Sequence, residues 1–314
     1  MTAEDYRELR TGCGAVALDR DVLLVSGADA VEYLQGQLSQ DVATLEVGDC
    51  ADSLILTPQG KLDAFVRVTR IGAEELIVDV DAGFGAAVAT RLNRFKLRVK
   101  VELEPLDWRC LALRGPDSPE VSSRASTGAR PGTALSAAFS WNGVSGVDLL
   151  GEAPEIPDGV RLCSVEAWES VRVEAGIPVM GAELDERTIA AEADLLDRSV
   201  SFTKGCYTGQ ELVARLDARG NRVARHLRGL VVTGIEPDPR RFAPGSEIIL
   251  DAKVVGTVTS SAWSPALGCP VALGYVHRTV TPPATVGLRD VGEDGDDTDT
   301  ASMSSAEVRT LPLA

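Results

Sequence analysis

The sequence predicts an α+β protein whose C-terminal end forms a separate, small β-barrel. Up to about residue 226, short apolar strands alternate with amphipathic helices and antiparallel hairpins, a mixture typical of α+β architecture. Beyond residue 227 the helical period disappears, and short strands separated by Gly and Pro predict an all-β unit. A length of 314 residues is sufficient for two or three domains, each with its own core.

The first third of the chain begins with a strand, a helix and a hairpin. Residues 22–25 form a short apolar strand, and Asp29 can cap a helix whose apolar residues recur on one face. The Pro-Gln-Gly sequence at 58–60 is a turn signal between two apolar strands, which predicts a hairpin. A further strand at 75–80 precedes a helix at about 82–95. Together these elements predict one mixed α/β unit.

The middle of the chain continues the alternation. Apolar and charged residues alternate over 97–103, the period of a half-buried strand, and 108–113 and 146–150 are two further strands. Residues 121–137 are small, polar and rich in breakers, which predicts a loop, with a helix of low propensity as the alternative. A helix is expected over 164–176, from a capping Ser to a terminal Gly.

An acidic stretch interrupts the predicted barrel. Residues 289–299 hold six acids and one arginine with glycines between them, a composition typical of a solvated loop. We expect this acidic loop to span 281–303. The barrel strands are expected at 227–232, 247–250, 253–260, 271–276 and 306–311.

The charge and hydropathy of the chain exclude several classes of function. The 31 Lys and Arg residues against 47 Asp and Glu residues give a formal charge of −16, which disfavours direct binding to nucleic acid. The apolar runs are far shorter than the roughly 20 residues that a membrane helix needs, so no membrane association is expected. The first eight residues are acidic and polar, unlike a secretory signal, and we therefore expect a cytoplasmic protein.

The cysteines give no sign of a metal site. The six are spread along the chain without any C-x-x-C pair, and neither His226 nor His277 lies near one at metal-ligand spacing. Free thiols in a reducing compartment are therefore expected.

The most unusual stretch of the chain is 204–211, which reads K-G-C-Y-T-G-Q-E. Its two glycines predict a tight turn or a close backbone approach. Cys206 lies two residues after Lys204 and nine before Arg215. Because a nearby cation favours the thiolate form of a cysteine, one interpretation is a reactive thiol. The other is a structural cysteine buried in a glycine-rich turn.

A second candidate lies at the C-terminal end of the helix at 164–176. Residues 172–178 read R-V-E-A-G-I-P, so Glu174 immediately precedes a loop, where ligands often bind. The two oxygens of a carboxylate can accept from two adjacent N–H donors, the arrangement at the edge of a pterin ring. The alternative is an exposed glutamate near Arg172 that provides only a helix-end charge.

Five arginines follow the 204–211 stretch. A solvated face of a helix or strand is one explanation. A cationic rim that binds the glutamate tail of a folate in fork geometry is the other, and nucleic acid is disfavoured by the net charge. The arginines are Arg215, Arg219, Arg222, Arg225 and Arg228.

Both motifs resemble those of a known family. The stretch 204–211 resembles K-G-C-Y-x-G-Q-E, the signature of the YgfZ family of folate-binding proteins, and all seven fixed positions are present. The string R-V-E-A-G-I-P resembles a second motif of that family, and P-Q-G-K at 58–61 is a further match. The resemblance covers nearly the whole chain, is weakest at 115–145 and 280–303, and extends to the glycine-cleavage T-protein and its aminomethyltransferase relatives.

The resemblance implies a T-protein-like fold in three parts. Two interleaved mixed α/β domains, ferredoxin-like in topology, are expected from residues 1–114 and 146–226, with 115–145 as a variable connection. They would surround a central folate site, and residues 227–314 would form the barrel. The resemblance also implies tetrahydrofolate as the bound cofactor, with Glu174 binding the pterin as in the T-protein relatives.

The resemblance assigns roles to further residues. Cys206 is the expected working thiol, and Lys204 is expected to favour its thiolate. The other expected folate contacts are Arg172, Tyr207, Gln210 and Arg215.

Two departures from the transferase pattern bear on mechanism. The aminomethyltransferases have an Asp in a G-G-x-x-D-D-like stretch after the hairpin turn and use it for folate-dependent chemistry, whereas residues 60–65 here read G-K-L-D-A-F. Aligning Asp63 requires a one-residue gap, and a one-residue slip in a strand reverses every side chain. Cys206 stands where the transferases have a carboxylate.

Two functions therefore compete. The first is a tetrahydrofolate-binding protein without a classical enzymatic activity, which acts in iron–sulfur cluster assembly or repair and indirectly in tRNA modification. Its partners would be the assembly machinery or client iron–sulfur proteins. The alternative is a folate-dependent aminomethyl or methyl transferase of the T-protein type, which needs Asp63 or another acid near N5 of the folate.

Overall fold

The computed structural model describes residues 2–126, 134–233, 243–290 and 304–314. Within these ranges the strands form two five-stranded sheets and one closed six-stranded barrel. The α+β class with a C-terminal barrel is therefore confirmed. No helix in these ranges is long and apolar enough to cross a membrane.

The first sheet is antiparallel throughout and is buried on both faces. Its elements are β2 (Arg20–Ser26), α2 (Ala30–Gln37), β3 (Cys50–Leu56), β4 (Leu62–Arg70), β5 (Glu75–Asp81), α3 (Gly85–Phe95) and β6 (Glu102–Leu106). The strand order is β3-β4-β5-β2-β6. Along β5, Ile77 packs against Cys110 and Leu150 of the second sheet, while its neighbours Leu76 and Val78 belong to the main core with the helices. This alternation places the second sheet on one face and α2 and α3 on the other.

The second sheet combines the start of the chain with its middle. Its elements are α1 (Ala3–Thr11), β1 (Gly14–Leu18), β7 (Arg109–Arg114), α4 (Ser118–Ser126), β8 (Leu135–Trp141), β9 (Val144–Gly151), β10 (Arg161–Leu162) and α5 (Val165–Ala175). The strand order is β10-β1-β7-β9-β8, and only the β1–β10 pair is parallel. The N-terminal strand β1 thus lies between two strands that follow it by about a hundred residues or more.

Helix α5 lies at the junction of the second sheet and the barrel. Between Ala167 and Ala175 every residue except Glu169 is buried, because the helix contacts α1, β1 and two barrel strands. The hydroxyl of Ser164 caps the helix by accepting from the amide of Ala167, and Gly176 ends it with φ 70°. The predicted start and end of this helix are therefore confirmed.

The barrel closes through six antiparallel strands. Its core consists of inward side chains such as Leu230, Ile248, Val258, Val286 and Val308. Before the barrel come a 3₁₀ turn (Ala190–Ala193) and two short helices, α6 (Leu196–Ser199) and α7 (Gln210–Asp217). The strands are β11 (Arg225–Thr233), β12 (Glu247–Leu250), β13 (Lys253–Ser264), β14 (Cys269–His277), β15 (Ala284–Arg289) and β16 (Ser304–Arg309).

Three segments differ from the sequence prediction. The strand expected over 97–103 is wrong in its first half, because Arg98 has a positive φ of 60° and pairing begins only at β6. The segment 121–137 contains the end of α4 and the start of β8, so the helix alternative holds for its beginning. Residues 284–289, placed in the acidic loop, form β15 because Val286 and Leu288 alternate into the barrel core. Acids 293–299 lie outside the described residues.

Candidate functional site

A central cavity of about 350 Å³ lies between the two sheets and α5. Four aromatic side chains line it as two edge-to-face pairs. Phe65 of β4 meets Trp141 at the end of β8, with ring centroids 6.0 Å apart, and Phe139 of β8 meets Trp168 of α5 at 6.2 Å. Aromatic walls of this kind suit a flat ring, because aromatic rings pack edge-to-face or stacked with an offset.

Buried ion pairs join the two sheets across the wall of this cavity. Arg67 of β4 donates from Nε and Nη2 to both oxygens of Asp79, at 3.0 and 2.9 Å, and from Nη1 to Asp148 of β9 at 2.6 Å. Arg114 of β7 donates to the other oxygen of Asp148, also at 2.6 Å. Burial alone would raise the pKa of Asp148, but the two guanidinium groups outweigh it and hold the pKa well below its usual range.

A second pair of charges lies at the edge of the cavity. Arg198 of α6 donates to Asp52 of β3 at 2.7 Å and stacks on Trp141, 3.6 Å from the ring centroid. Burial raises the pKa of the Asp52 carboxyl even though Arg198 acts in the opposite direction. Asp52 also lines the cavity. Because its pKa is raised, its carboxyl keeps its proton more readily than that of an ordinary aspartate.

Arg172 connects α5 to the barrel. It lines the cavity, but its donors are engaged by Glu169, by the carbonyl of Ile177 at 2.7 Å, by Glu183 at 3.0 Å and by the hydroxyl of Ser260. Both carboxylate oxygens of Glu169 accept from Arg172, yet 35% of the Glu169 side chain stays exposed, and it also lines the cavity. Of this pair, Glu169 is the side chain with accessible acceptor surface.

Glu174 lies away from the cavity and is fully buried. One carboxylate oxygen accepts from the hydroxyl of Tyr6 in α1 at 2.7 Å, and the other accepts from the hydroxyl of Ser264 in β13. Its backbone carbonyl accepts from Leu313 near the C-terminus. The sequence alternative of an exposed helix-end glutamate is therefore wrong, whereas the pterin-binding role stays a prediction.

Asp63 also faces away from the cavity. Ala64 pairs with Ile55 and Leu62 pairs with Leu56, so Asp63 is the extra residue of a β-bulge. Its carboxylate accepts from Arg91 of α3 at 3.1 Å, on the helix side of the sheet. The bulge therefore takes Asp63 out of the regular pairing of β4 with β3. On the same strand, Phe65 and Arg67 line the cavity instead.

Lys204 binds backbone rather than the neighbouring thiol. Its ammonium donates to the carbonyls of Gln35, Leu38 and Gln40, at 2.6, 2.7 and 2.9 Å, so all three of its N–H donors are in use. Burial lowers its pKa to about 8, with Asp41 opposing the shift. Lys204 fastens the 204–211 stretch to the end of α2, and its effect on Cys206 stays a prediction.

The 204–211 stretch packs on the hairpin turn at 58–61. A Cβ on Gly209, which has φ 83°, would lie 2.5 Å from the carbonyl oxygen of Thr57, and a Cβ on Gly60 would lie 2.4 Å from Leu212. Both glycines are therefore required by close approach. Two sequence motifs about 150 residues apart form one substructure.

The remaining motif residues build this substructure and do not line the central cavity. Gln210 accepts from the amide of Tyr207 at 3.2 Å, and burial raises the pKa of Tyr207 to about 12. Cys206 is exposed and free, and Arg215 is exposed on α7. The interpretation of Cys206 as a buried structural cysteine is wrong. The structure therefore separates the predicted residues into an exposed thiol loop and a buried cluster around α5.

Comparison with known proteins agrees with this architecture. Residues 1–141 match the GCVT N-terminal domain, and residues 225–294 match the Glycine cleavage T-protein C-terminal barrel domain. The chain belongs to the T-protein superfamily. A solved structure, the glycine cleavage system aminomethyltransferase T from Bartonella henselae, superposes with a TM-score of 0.80 over 99% of this chain and 89% of that chain, at 20% identity.

The sequence relatives of this superfamily member include aminomethyltransferases and an uncharacterized protein. An aminomethyltransferase from Thermus thermophilus is 29% identical over 85% of this chain and 80% of its own length, and one from Corynebacterium aurimucosum is 27% identical over 87% and 81%. An uncharacterized protein from Haemophilus influenzae is 27% identical over 76% of this chain and 80% of its own.

Most residues that line the cavity of this T-protein superfamily member could not be recognised from the sequence. Arg67 and Asp148 each lie as a lone charge within an apolar strand, at 65–69 and 146–150. A charge at such a position is a signal, since buried charges require a partner. Asp52 and Arg114 carry no comparable local signal, because their roles depend on strands and helices far away in the chain.

Proposed function

We propose that this protein binds a tetrahydrofolate in the central cavity and acts, through the thiol of Cys206, in the assembly or repair of iron–sulfur proteins. Its effect on tRNA modification would be indirect, through the iron–sulfur enzymes that it serves. The observation that carries the proposal is the aromatic, carboxylate-bearing cavity at the centre of a T-protein-like fold. The YgfZ resemblance of the 204–211 stretch supplies the iron–sulfur part.

The residues present fit the ring of a folate. The cavity volume lies in the range of about 300–1,000 Å³ typical of small-molecule sites. Phe139 and Trp168 supply flat apolar walls, and Glu169 and Asp52 supply acceptors for ring N–H groups. When bound, a tetrahydrofolate supplies one-carbon chemistry. Glu174 can take the role that the resemblance implies only if the hydroxyl groups of Tyr6 and Ser264 release its carboxylate.

The exposed position of Cys206 fits a role on a partner protein. Its loop is held rigidly at both ends, by the three carbonyl bonds of Lys204 and by the close packing of Gly209 on the hairpin turn. A thiol presented in this way is accessible to a client protein or to the assembly machinery. The proposal places the protein in the cytoplasm, where thiols stay reduced.

One observation favours the alternative of an aminomethyl or methyl transferase. Asp63 is turned toward Arg91, but Asp52 lines the cavity and has a raised pKa, so it is the acid that could take the place of the transferase aspartate. In that case Asp52→Asn abolishes one-carbon transfer, whereas Cys206→Ala leaves it unchanged.

The decisive experiment removes the gene and measures iron–sulfur enzyme activity. We expect deletion to lower the activity, wild-type protein to restore it, and Cys206→Ala to fail. Cys269→Ala is the matched control, because it removes a half-buried thiol of the barrel instead. Activities that are unchanged by deletion, or full rescue by Cys206→Ala, would contradict the iron–sulfur role.

Calorimetry tests the folate part separately. We expect tetrahydrofolate to bind the wild type, and Glu169→Gln to weaken binding by about tenfold, the effect of one hydrogen bond to a charged group. Glu174→Gln is the comparison. If only Glu174→Gln weakens binding, the pterin lies at α1 and β13 and not in the central cavity.

A further inference from the structure

The C-terminal end of α3 and the residues after it concentrate positive charge. Residues 91–100 hold five Lys and Arg residues and no acid, in a chain whose formal charge is −16. Arg94, Arg98 and Lys100 are exposed. Within the part of the chain that the structure describes, only Arg91 of the five forms an ion pair, with Asp63 at 3.1 Å. The other four cations therefore make this segment locally positive on a negatively charged protein.

Two large apolar side chains are exposed in the same segment. Phe95 is 38% exposed and Leu97 is 76% exposed. The chain bends at Arg98, which has a left-handed φ of 60°, and Leu97 stays outside the core. Apolar side chains surrounded by arginine and lysine are typical of a surface that binds another protein, because such surfaces combine an apolar centre with a polar rim. We call residues 94–98 the basic apolar surface.

Arg91 connects the basic apolar surface to two neighbouring elements. Its Cζ atom lies 4.0 Å from the centroid of the Phe95 ring. Its guanidinium also donates to the side chain of Gln37 and to the carbonyl of Leu56, each at 3.2 Å. Gln37 is the last residue of α2 and Leu56 is the last residue of β3, so Arg91 holds the end of α3 against the ends of both elements.

The same two ends hold the loop that carries the exposed thiol. Lys204 donates to the carbonyl of Leu38, directly after α2, and a Cβ on Gly209 would lie 2.7 Å from the Cβ of Leu56. Cys206 lies between these two attachment points. The thiol and the basic apolar surface are therefore neighbours, joined through Arg91. A protein partner that buries the usual area of about 800 Å² can cover both.

The local charge determines what kind of partner fits this surface. At an ionic strength of about 0.15 M the Debye length is about 8 Å, so a docked partner responds to the charges next to it and not to the net charge. The complementary partner is a protein surface with several carboxylates around an apolar side chain. A nucleic acid fits less well, because a long polyanion extends past this short segment along a chain of charge −16.

We propose that the basic apolar surface is the docking site for the protein on which Cys206 acts, and that this partner is acidic. Phe95 and Leu97 contact its apolar residues, and Arg94 and Arg98 pair with its carboxylates. The inference rests on the proposed function, because the partner is the client or assembly protein served by the thiol. It adds the chemistry by which that partner is recognised.

The test uses two short peptides as probes, one built from Glu and Leu and the other from Lys and Leu. Each carries one cysteine activated as a disulfide with thiopyridine. The thiolate of Cys206 attacks the peptide sulfur, a protein–peptide disulfide forms, and thiopyridone leaves and is measured by its absorbance. The rate in Cys206→Ala is subtracted as background from the other cysteines. At about 0.15 M salt we expect the wild type to react about tenfold faster with the acidic peptide than with the basic one.

Two double variants separate local charge from net charge. Arg94→Glu/Arg98→Glu reverses the basic apolar surface, and we expect it to abolish the preference for the acidic peptide. Arg109→Glu/Lys253→Glu is the matched control, because it reverses two exposed cations of the second sheet and the barrel. Each double variant changes the formal charge by four units, from −16 to −20, and only the control should keep the tenfold ratio. Leu97→Ser should slow the acidic peptide by about threefold.

A ratio near one in the wild type, or an equal loss of the ratio in the control, would overturn the docking site. Binding of a labelled RNA or of phosphatidylserine vesicles that is lost in Arg94→Glu/Arg98→Glu, with the peptide ratio unchanged, would assign the surface to another polyanion and overturn it as well. In the deletion strain we expect this double variant to fail in rescue and the control to succeed. Full rescue by Cys206→Ala would instead contradict the proposed function, whatever the peptide ratio.

Discussion

Asp148 provides the sharpest test of how the two sheets are held together. Its carboxylate is buried and receives Arg67 from the first sheet and Arg114 from the second, each at 2.6 Å. Asp148→Asn keeps the volume of the side chain but leaves two buried guanidinium groups with one fewer compensating charge. Because breaking a buried ion pair from one side costs about 3–5 kcal/mol, we expect the free energy of unfolding to fall by that amount at pH 7.

The assay is urea unfolding followed by tryptophan fluorescence, since Trp141 and Trp168 line the cavity next to this cluster. Asp158→Asn is the control, because Asp158 is an exposed acid close by in the chain, and we expect it to change stability by less than about 0.5 kcal/mol. Equal effects of the two substitutions would refute the reasoning.

The pH dependence of this difference follows from the lowered pKa of Asp148. A carboxyl with a folded-state pKa below its unfolded value stabilises the protein fully above the unfolded value, and the stabilisation is lost as the pH falls toward the folded one. The difference between wild type and Asp148→Asn should therefore be constant from about pH 7 to 5 and shrink below about pH 4. A difference that stays constant down to pH 3 would contradict the assigned cause.

Two further predictions concern the 204–211 stretch. Gly209→Ala should destabilise the protein by about 1–3 kcal/mol, because its φ of 83° is strained for alanine and the new Cβ meets the Thr57 carbonyl, whereas the control Gly205→Ala meets nothing within 4 Å. A thermal melt compares the two, and equal melting temperatures would count against the packing described. For Lys204, whose pKa is lowered to about 8, the unfolded chain binds the proton more tightly. The stability of the wild type relative to Lys204→Met should therefore rise between about pH 8 and 10.4, and a flat difference in urea unfolding would disagree.

Local chemistry made part of the fold predictable. The ends of α5 could be predicted because Ser164 and Gly176 act on their own neighbouring backbone. The change to a barrel could be predicted because it alters the period of the sequence itself. Strand β15 was missed because the acidic residues beside it dominate the composition of a short window, although Val286 and Leu288 alternate correctly.

The candidate site could be predicted only in part, because most of its geometry is non-local. Glu174 was correctly located at the end of α5, but its burial depends on Tyr6 and Ser264, which lie 168 and 90 residues away in sequence. The orientation of Asp63 depends on a bulge that no single strand reveals. Lys204 was interpreted beside its sequence neighbour Cys206, whereas its partners are carbonyls at 35–40.

The position of β1 in the second sheet has a consequence for how the protein is made. All strands of the first sheet come from the continuous segment 20–106, so that layer can fold as soon as it leaves the ribosome. Strand β1 is synthesised earlier, but its neighbours β7 and β10 begin at residues 109 and 161. At about 5–20 residues per second, β1 waits roughly 5–20 s for β7 and longer for β10. During that interval the apolar residues of β1 have no neighbouring strands to pair with. The newly synthesised chain therefore exposes a short hydrophobic segment, of the kind that chaperones bind, until the second sheet is complete.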